Sequence, residues 1–300
     1  MKPEVKGYLF AFGASLALAA SFIFSKAALN KTDMYLFGFT WFGIGAIVNF
    51  LWLLLKKRNT IFKRQDPGVF SLALLIAAIE GVATVLFYIA IQKMENPAVV
   101  SFIGNMGPVL VTIMGILLLG EKYNRWQVIG IIVALVGVFT ISFNQGADLR
   151  SIFQPGSQYV LMASALFATA TIVARHGKER LEPELMSTLR SFLLFVVFTG
   201  IILSRDMEII LDKKTWYDVI VGSLLETLIT IVLAYQALRY LEAAKTSLVI
   251  STKAIWLLVM AWIFFDTFPL HYELAGGVLS LVGIALITLK RRQRSKRIYS

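Results

Sequence analysis

The order of apolar and polar positions is the strongest signal in this chain. Long apolar runs are separated by short polar gaps. Ten of them reach or approach the roughly 20 residues a helix needs to cross the hydrocarbon of a bilayer: 7–27, 33–55, 69–91, 97–119, 126–143, 157–174, 184–204, 216–238, 243–265 and 271–289. The gaps carry breakers and charges, as at Lys56-Lys57-Arg58, Asp66-Pro67-Gly68, Gln154-Pro155-Gly156 and Glu182-Pro183. Within the runs apolar residues are continuous and do not alternate, which excludes a β-barrel. The pattern predicts an all-α integral membrane protein of ten transmembrane helices.

Composition agrees with this reading. Hydrophobic residues make up 58% of the chain and charged residues only 16%, with a mean hydropathy of +0.74. A soluble domain is about 45–50% apolar and about 25% charged. The net charge of +11 does not point to nucleic acid, because the basic residues fall in the gaps and form no stripe on a folded face. Their placement sets topology instead, since cytoplasmic loops retain Lys and Arg. With the N-terminus inside, twenty of the 29 fall on the cytoplasmic side and six outside. The other three, Lys26, Arg190 and Lys253, are within spans. A multi-pass protein of the cytoplasmic membrane with both termini cytoplasmic is expected. Ala19-Ala20-Ser21 is a weak signal-peptide cleavage pattern, and the first run is read as a retained helix. There is no cysteine, so no disulfide, thiolate metal site or cysteine nucleophile is available.

The two halves of the chain resemble each other at an offset of 146 to 149 residues. Ser21-Phe22-Ile23-Phe24-Ser25-Lys26 aligns with Ala170-Thr171-Ile172-Val173-Ala174-Arg175, and Glu80 and Thr84 align with Glu226 and Thr230. Tyr88 and the stretch from Ala90 to Glu95 align with Tyr235 and the stretch from Ala237 to Glu242. Gly130 and Gly137 align with Gly276 and Gly283. The division is residues 1–145 and 146–300, with a basic tail at 290–300. Each half has five helices, so the second enters the membrane inverted. Inverted repeats place a substrate site near the midplane and alternate access by rocking one half on the other.

Residues 90–141 carry Asn96-Pro97-Ala98, Gly107-Pro108, Leu119-Gly120-Glu121, Trp126, Gly130 and Gly137. With the first-helix segment ending in Lys26, they resemble the EamA-type repeat of the drug/metabolite transporter superfamily, over nearly the whole chain and twice. The resemblance implies an exporter, exchanger or uptake carrier of small metabolites, often amino acids, with a central cavity between the halves. It also implies that the fifth and tenth helices serve as scaffold. The chain departs from the repeat in four places. Trp41 stands where the repeat has an arginine, which Arg190 keeps in the second half. Ile255 takes the place of Pro108, Phe265-Asp266-Thr267 replaces Gly-Glu, and Lys253 stands where an apolar or small residue is usual.

Ionisable side chains inside a membrane cost several kcal/mol unless paired or hydrated, so each is a functional candidate. Glu80 and Glu226 fall midway along their spans, each one turn from a threonine, Thr84 and Thr230, and the stripe from Glu80 continues to Tyr88. They read as a carboxylate pair sharing one cavity, binding an amino group or carrying a proton, or as structural counter-charges. Lys253 binds a substrate's anionic group or neutralises Glu226. Lys26 faces the site or snorkels at the outer end of its helix, and Arg190 reads first as an interfacial anchor. Ser101, Asn105 and Pro108 share a face of the fourth helix, where Pro108 frees the carbonyl of Gly104. Trp41, Phe42, Trp256 and Trp262 stack on substrate or serve packing and the interfacial belt. The glycines of the fifth and tenth helices, seven apart, suit close helix packing.

Other classes fit less well. His176 and His271 are both at loops, so H-E-x-x-H zinc chemistry is not available, and no G-x-x-x-x-G-K-[ST] loop exists for ATP. No cofactor or metal is expected, and neither is catalysis. A channel-like facilitator is the nearer alternative. The expected partners are a small-molecule substrate, the lipid bilayer and a coupling proton, with no nucleic acid.

Overall fold

The computed structural model describes residues 3–57, 67–120, 124–142, 155–176, 183–238, 240–241, 246 and 249–289. The basic tail at 290–300 and most of the 56–68 gap are outside the described residues. Each of the ten expected spans contains a helix over its described residues, the ninth from Val249 onward. They are α1 (Pro3–Leu29), α2 (Met34–Lys57), α3 (Pro67–Lys93), α4 (Pro97–Gly104 continued by Met106–Leu119) and α5 (Arg125–Ser142). The second half supplies α6 (Ser157–His176), α7 (Pro183–Ser204), α8 (Lys213–Leu224, a π-helical turn Leu225–Thr230, then Ile231–Leu238), α9 (Lys253–Phe265) and α10 (His271–Leu289). Among the described residues seven spans are long and apolar enough to cross a membrane, and Arg125–Thr140, Val249–Phe265 and His271–Ile287 are shorter apolar helices.

Local chemistry explains the boundaries. α8 begins three residues ahead of the expected 216 because the Asp212 carboxylate accepts from the Thr215 N–H at 3.2 Å and caps the helix. α4 opens on Pro97, with the Asn96 side chain accepting from Ala98 N–H at 2.9 Å. Two interruptions were not expected as a pair. α4 kinks at Asn105, and the helical turn of 249–251 kinks at Thr252 before α9 continues. The two positions are 147 residues apart and match in the repeat. Pro108 explains the first, because it offers no N–H to the Gly104 carbonyl. At the second there is no proline. There the Thr252 hydroxyl donates to Val249 O at 2.6 Å, and Ile255 N–H bonds back only three residues.

The halves pack as a pseudo-two-fold pair. α1 lies on α8 and α9 as α6 lies on α3 and α4, while α2 faces α7, α4 faces α9 and α5 faces α10. The last pair meets backbone to backbone. A Cβ on Gly130 would come 2.8 Å from Gly283 O, and one on Gly137 would come 2.6 Å from Gly276 O. Only glycine allows that approach, as the spacing of seven anticipates.

Core packing is continuous at one end of the bundle. Toward the loops at 30–33, 94–96 and 266–270 there is one continuous cluster, including Ile23, Leu29, Phe37, Trp41, Tyr88, Ile91, Phe198, Val219 and Leu257. Toward the opposite end the described residues form three separate clusters, around Ile76 and Ala170, Ile131 and Ile287, and Ala11 and Leu241.

Candidate functional site

A cavity of about 220 Å³ sits where the continuous cluster gives way to the separate ones. α1 contributes Leu18 and Phe22 to its wall, α3 contributes Thr84, Phe87 and Tyr88, and α4 contributes Gly104 and Gly107. The second half adds Ser164 and Phe167 from α6, Arg190 from α7, Glu226 from α8 and Lys253 from α9.

The two glutamates meet different partners. Glu226 Oε2 accepts from Trp41 Nε1 at 3.0 Å and from the Tyr88 hydroxyl at 2.6 Å. Both donors are neutral, so they orient the carboxylate without cancelling its charge. The Trp41 ring packs tightly on the backbone of α8 at Gly222, where a Cβ would collide with it. Ser223 locks the same seam by donating to Trp41 O at 2.9 Å. Glu226 falls in the π-helical turn, and Thr230 closes that turn by donating to Leu225 O at 2.8 Å. π-turns within α-helices often occur at functional sites, where they rotate side chains relative to the regular helix. Glu80, at the matched position of unbroken α3, pairs with Arg190 at 3.8 Å instead.

The expectation that the glutamates form one carboxylate pair therefore gives way to two separate arrangements. Each glutamate takes its partner from the other half of the chain, and of the two only Glu226 is in the cavity wall. Arg190, read first as an interfacial anchor, is in the wall beside it.

Lys253 enters the cavity next to the α9 kink, its ammonium 4.9 Å from the centre of the Phe22 ring. Among the described residues no carboxylate oxygen comes within salt-bridge distance of it. Thr84 is in the wall and donates its hydroxyl to Glu80 O at 2.7 Å. Asn105 and Ser101 are buried beside the α4 kink, with Asn105 Nδ2 and Ser101 Oγ lacking a hydrogen-bond partner. Trp256 packs edge-on against Phe12 at 4.9 Å, and its indole N–H is unpartnered. Phe42 joins Tyr88 and Phe198 above the cavity, whereas Trp262 is exposed on the outer surface of the bundle.

Lys26 is elsewhere. Its ammonium donates to Met94 O at 2.7 Å and Gln92 O at 3.1 Å, where it caps the C-terminal end of α3. A cation there satisfies carbonyls that the helix leaves open and complements its dipole. Sequence reasoning missed Ser164 and Gly107 as wall residues. The repeat could have found Ser164, since it matches Ser15 at the same offset that aligns Ser21 with Ala170. Among the described residues no group of three His, Asp or Glu side chains could hold a metal.

Comparison with known proteins agrees with this architecture. The chain is 26% identical over 190 residues to "Uncharacterized transporter YxxF" of Bacillus subtilis, a match covering 63% of this chain and 60% of that protein. It is 28% identical over 123 residues to "Uncharacterized protein MJ1333.1" of Methanocaldococcus jannaschii, covering 40% of this chain and 85% of that one. The latter is thus about as long as one repeat. A solved crystal structure superposes with a TM-score of 0.66 over 94% of this chain and 96% of its own, at 15% identity, which speaks for the fold alone. The pattern of the EamA-like transporter family matches twice, over residues 5–143 and again over 154–289, and the chain belongs to that family.

Proposed function

We propose that this transporter carries a small zwitterion, an amino acid or a closely related compound, by alternating access in the cytoplasmic membrane. The observation that carries the reading is the charge inventory of the cavity. Arg190 and Glu80 compensate each other, whereas among the described residues Glu226 accepts from neutral donors and Lys253 has no carboxylate within ion-pair distance, the two attracting each other across the cavity without contact. Two opposite charges held apart at membrane depth without direct contact are costly, and a ligand bearing an ammonium and a carboxylate fits between them and satisfies both at once. A volume of about 220 Å³ is smaller than the 300–1,000 Å³ typical of drug-sized sites, which favours a small metabolite.

The continuous core toward the loops at 30–33, 94–96 and 266–270 supports a pathway shut on that side. With the orientation expected from the Lys and Arg distribution, both termini are cytoplasmic and the shut end is the outer one. Rocking the halves about the α5–α10 seam would exchange the two ends. Glu226, which no cation among the described residues contacts at ion-pair distance, is the residue we assign to proton coupling.

Uptake and exchange in proteoliposomes, with and without a pH gradient, test the proposal. Amino acids should be carried in preference to the matching amines and carboxylic acids. Lys253→Ala should raise the apparent KM for carboxylate-bearing substrates about tenfold or more, as expected when one charged hydrogen bond is lost. Unchanged affinity in a folded Lys253→Ala protein would make the lysine a counter-charge only.

A further inference from the structure

The two kinks occupy matched positions, yet their surroundings differ. At the second-half kink Ser15 of α1 donates its hydroxyl to Ile250 O at 3.3 Å and lies 3.3 Å from the Thr252 hydroxyl. The polar groups exposed by that kink are thereby used within the protein. Ser164 of α6, which matches Ser15, makes no such contact with the α4 kink. Its side chain is in the cavity wall together with Gly104, whose carbonyl has lost its usual helical donor to Pro108. Space is left beside it as well, because a Cβ added to Gly107 would meet nothing within 4 Å. The residue matching Gly107 in the second half is Ala254, and it is fully buried. One kink is therefore closed by a serine, and the other stands open on the cavity with its serine unspent.

We infer that the open kink of α4 is a binding subsite for a primary ammonium, formed by the Gly104 carbonyl, the Ser164 hydroxyl and the Glu226 carboxylate. A primary ammonium has three N–H donors and no acceptor. Three acceptors from three helices of one cavity match that count, and the carboxylate supplies the charge. A quaternary ammonium would offer the same charge and no donor, leaving the carbonyl and the hydroxyl unsatisfied in a dry site, which is where discrimination is strongest. The inference rests on the zwitterion reading above and adds which nitrogen chemistry the site selects and where that nitrogen sits.

The test uses the full chain in proteoliposomes and three probes, alanine, N-methylalanine and N,N,N-trimethylalanine, each competing against whichever amino acid the protein carries best. Apparent affinity should fall about tenfold from alanine to N-methylalanine, which gives up one N–H, and further to N,N,N-trimethylalanine, which has none, the usual cost of lost hydrogen bonds to a charged group. Ser164→Ala should remove one step of that series. Pro108→Ala, which restores an N–H to the Gly104 carbonyl, should remove another. Ser15→Ala should leave the series intact. Equal affinity for all three probes in the unaltered protein overturns the subsite and leaves the zwitterion reading standing. So does a methylation series unchanged in both Ser164→Ala and Pro108→Ala, which would assign the open kink to bound water alone. If no amino acid is carried at all, the zwitterion reading itself has failed.

Discussion

Glu80 and Glu226 occupy matched positions in the two halves, and each reaches across to a matched residue of the opposite half, Arg190 for one and Trp41 for the other. The contact is the same but its chemistry is not. In the first case a guanidinium cancels the carboxylate, and in the second an indole N–H and a phenol O–H hold it in place with its charge intact. A symmetric scaffold with two ion pairs would have a cavity with little to offer a charged ligand. With tryptophan in place of the second arginine, one carboxylate has no guanidinium partner, and α8 carries a π-turn where α3 runs straight.

Breaking the Glu80–Arg190 side should have the largest effect. Arg190→Ala leaves a half-buried carboxylate without its cation. A fully buried pair loses about 3–5 kcal/mol when broken in this way. Here the side chains are 21% and 27% exposed, so solvent screening brings the expected cost below that range. The thermal midpoint of the purified protein should fall by several degrees, and adding Glu80→Gln should recover part of the loss. Recovery would fail if Arg190 served chiefly through packing.

The opposite change, Trp41→Arg, gives both halves the same pairing and should abolish the distinction. Uptake of amine-bearing substrates should drop at least tenfold, while Trp41→Phe, which keeps the ring and loses one N–H, should cost only a few-fold. A Trp41→Arg protein that transports normally would remove the case for Glu226 as a substrate group.

Coupling gives a sharper comparison. Glu226→Gln should flatten the pH profile of transport or uncouple accumulation from a proton gradient, and the exchange that remains at equal pH should show weaker affinity for amine-bearing substrates. Glu80→Gln should do neither. If both variants keep the parent profile, proton movement runs through another group.

The smallest effect is at the start of α8, outside the cavity. Hydrogen bonding from Thr215, helped by the charge of Lys31 at 4.0 Å, holds the Asp212 carboxyl below its ordinary range. A depressed carboxylate contributes stability above its ordinary value of 3.8 and loses it as pH falls through the folded value. Asp212→Asn should remove that acid dependence from a melting profile and leave transport unchanged.

The sequence made the spans and the repeat legible because a bilayer imposes length and hydropathy directly, and the offset of 146 to 149 needed only identity to be seen. Lys253, Glu226, Thr84 and Tyr88 were legible as site candidates for a related reason, since polarity at membrane depth is rare. The pairing of those groups was not legible. Whether Glu80 meets Glu226 or Arg190 depends on which faces of α3, α7 and α8 turn inward, and the π-turn at Leu225–Thr230 shifts the register of α8 without any marking residue. Lys26 shows the same limit, because the carbonyls it caps belong to the last turn of α3 and the residue after it, 66 and 68 residues away. The second kink was hidden for want of a proline.

The glycine seam between α5 and α10 has a consequence for how this chain is put together. Gly130 meets Gly283 and Gly137 meets Gly276, while Gly130 matches Gly276 and Gly137 matches Gly283. Each patch thus touches the other's copy, the reciprocal rule of an isologous dimer interface. The covalent link across 143–156 adds proximity to a contact that is already self-complementary, so the two halves behave as subunits of a fused homodimer. Only after such fusion can Trp41 and Arg190 differ, because a mutation in a true homodimer would alter both sites together.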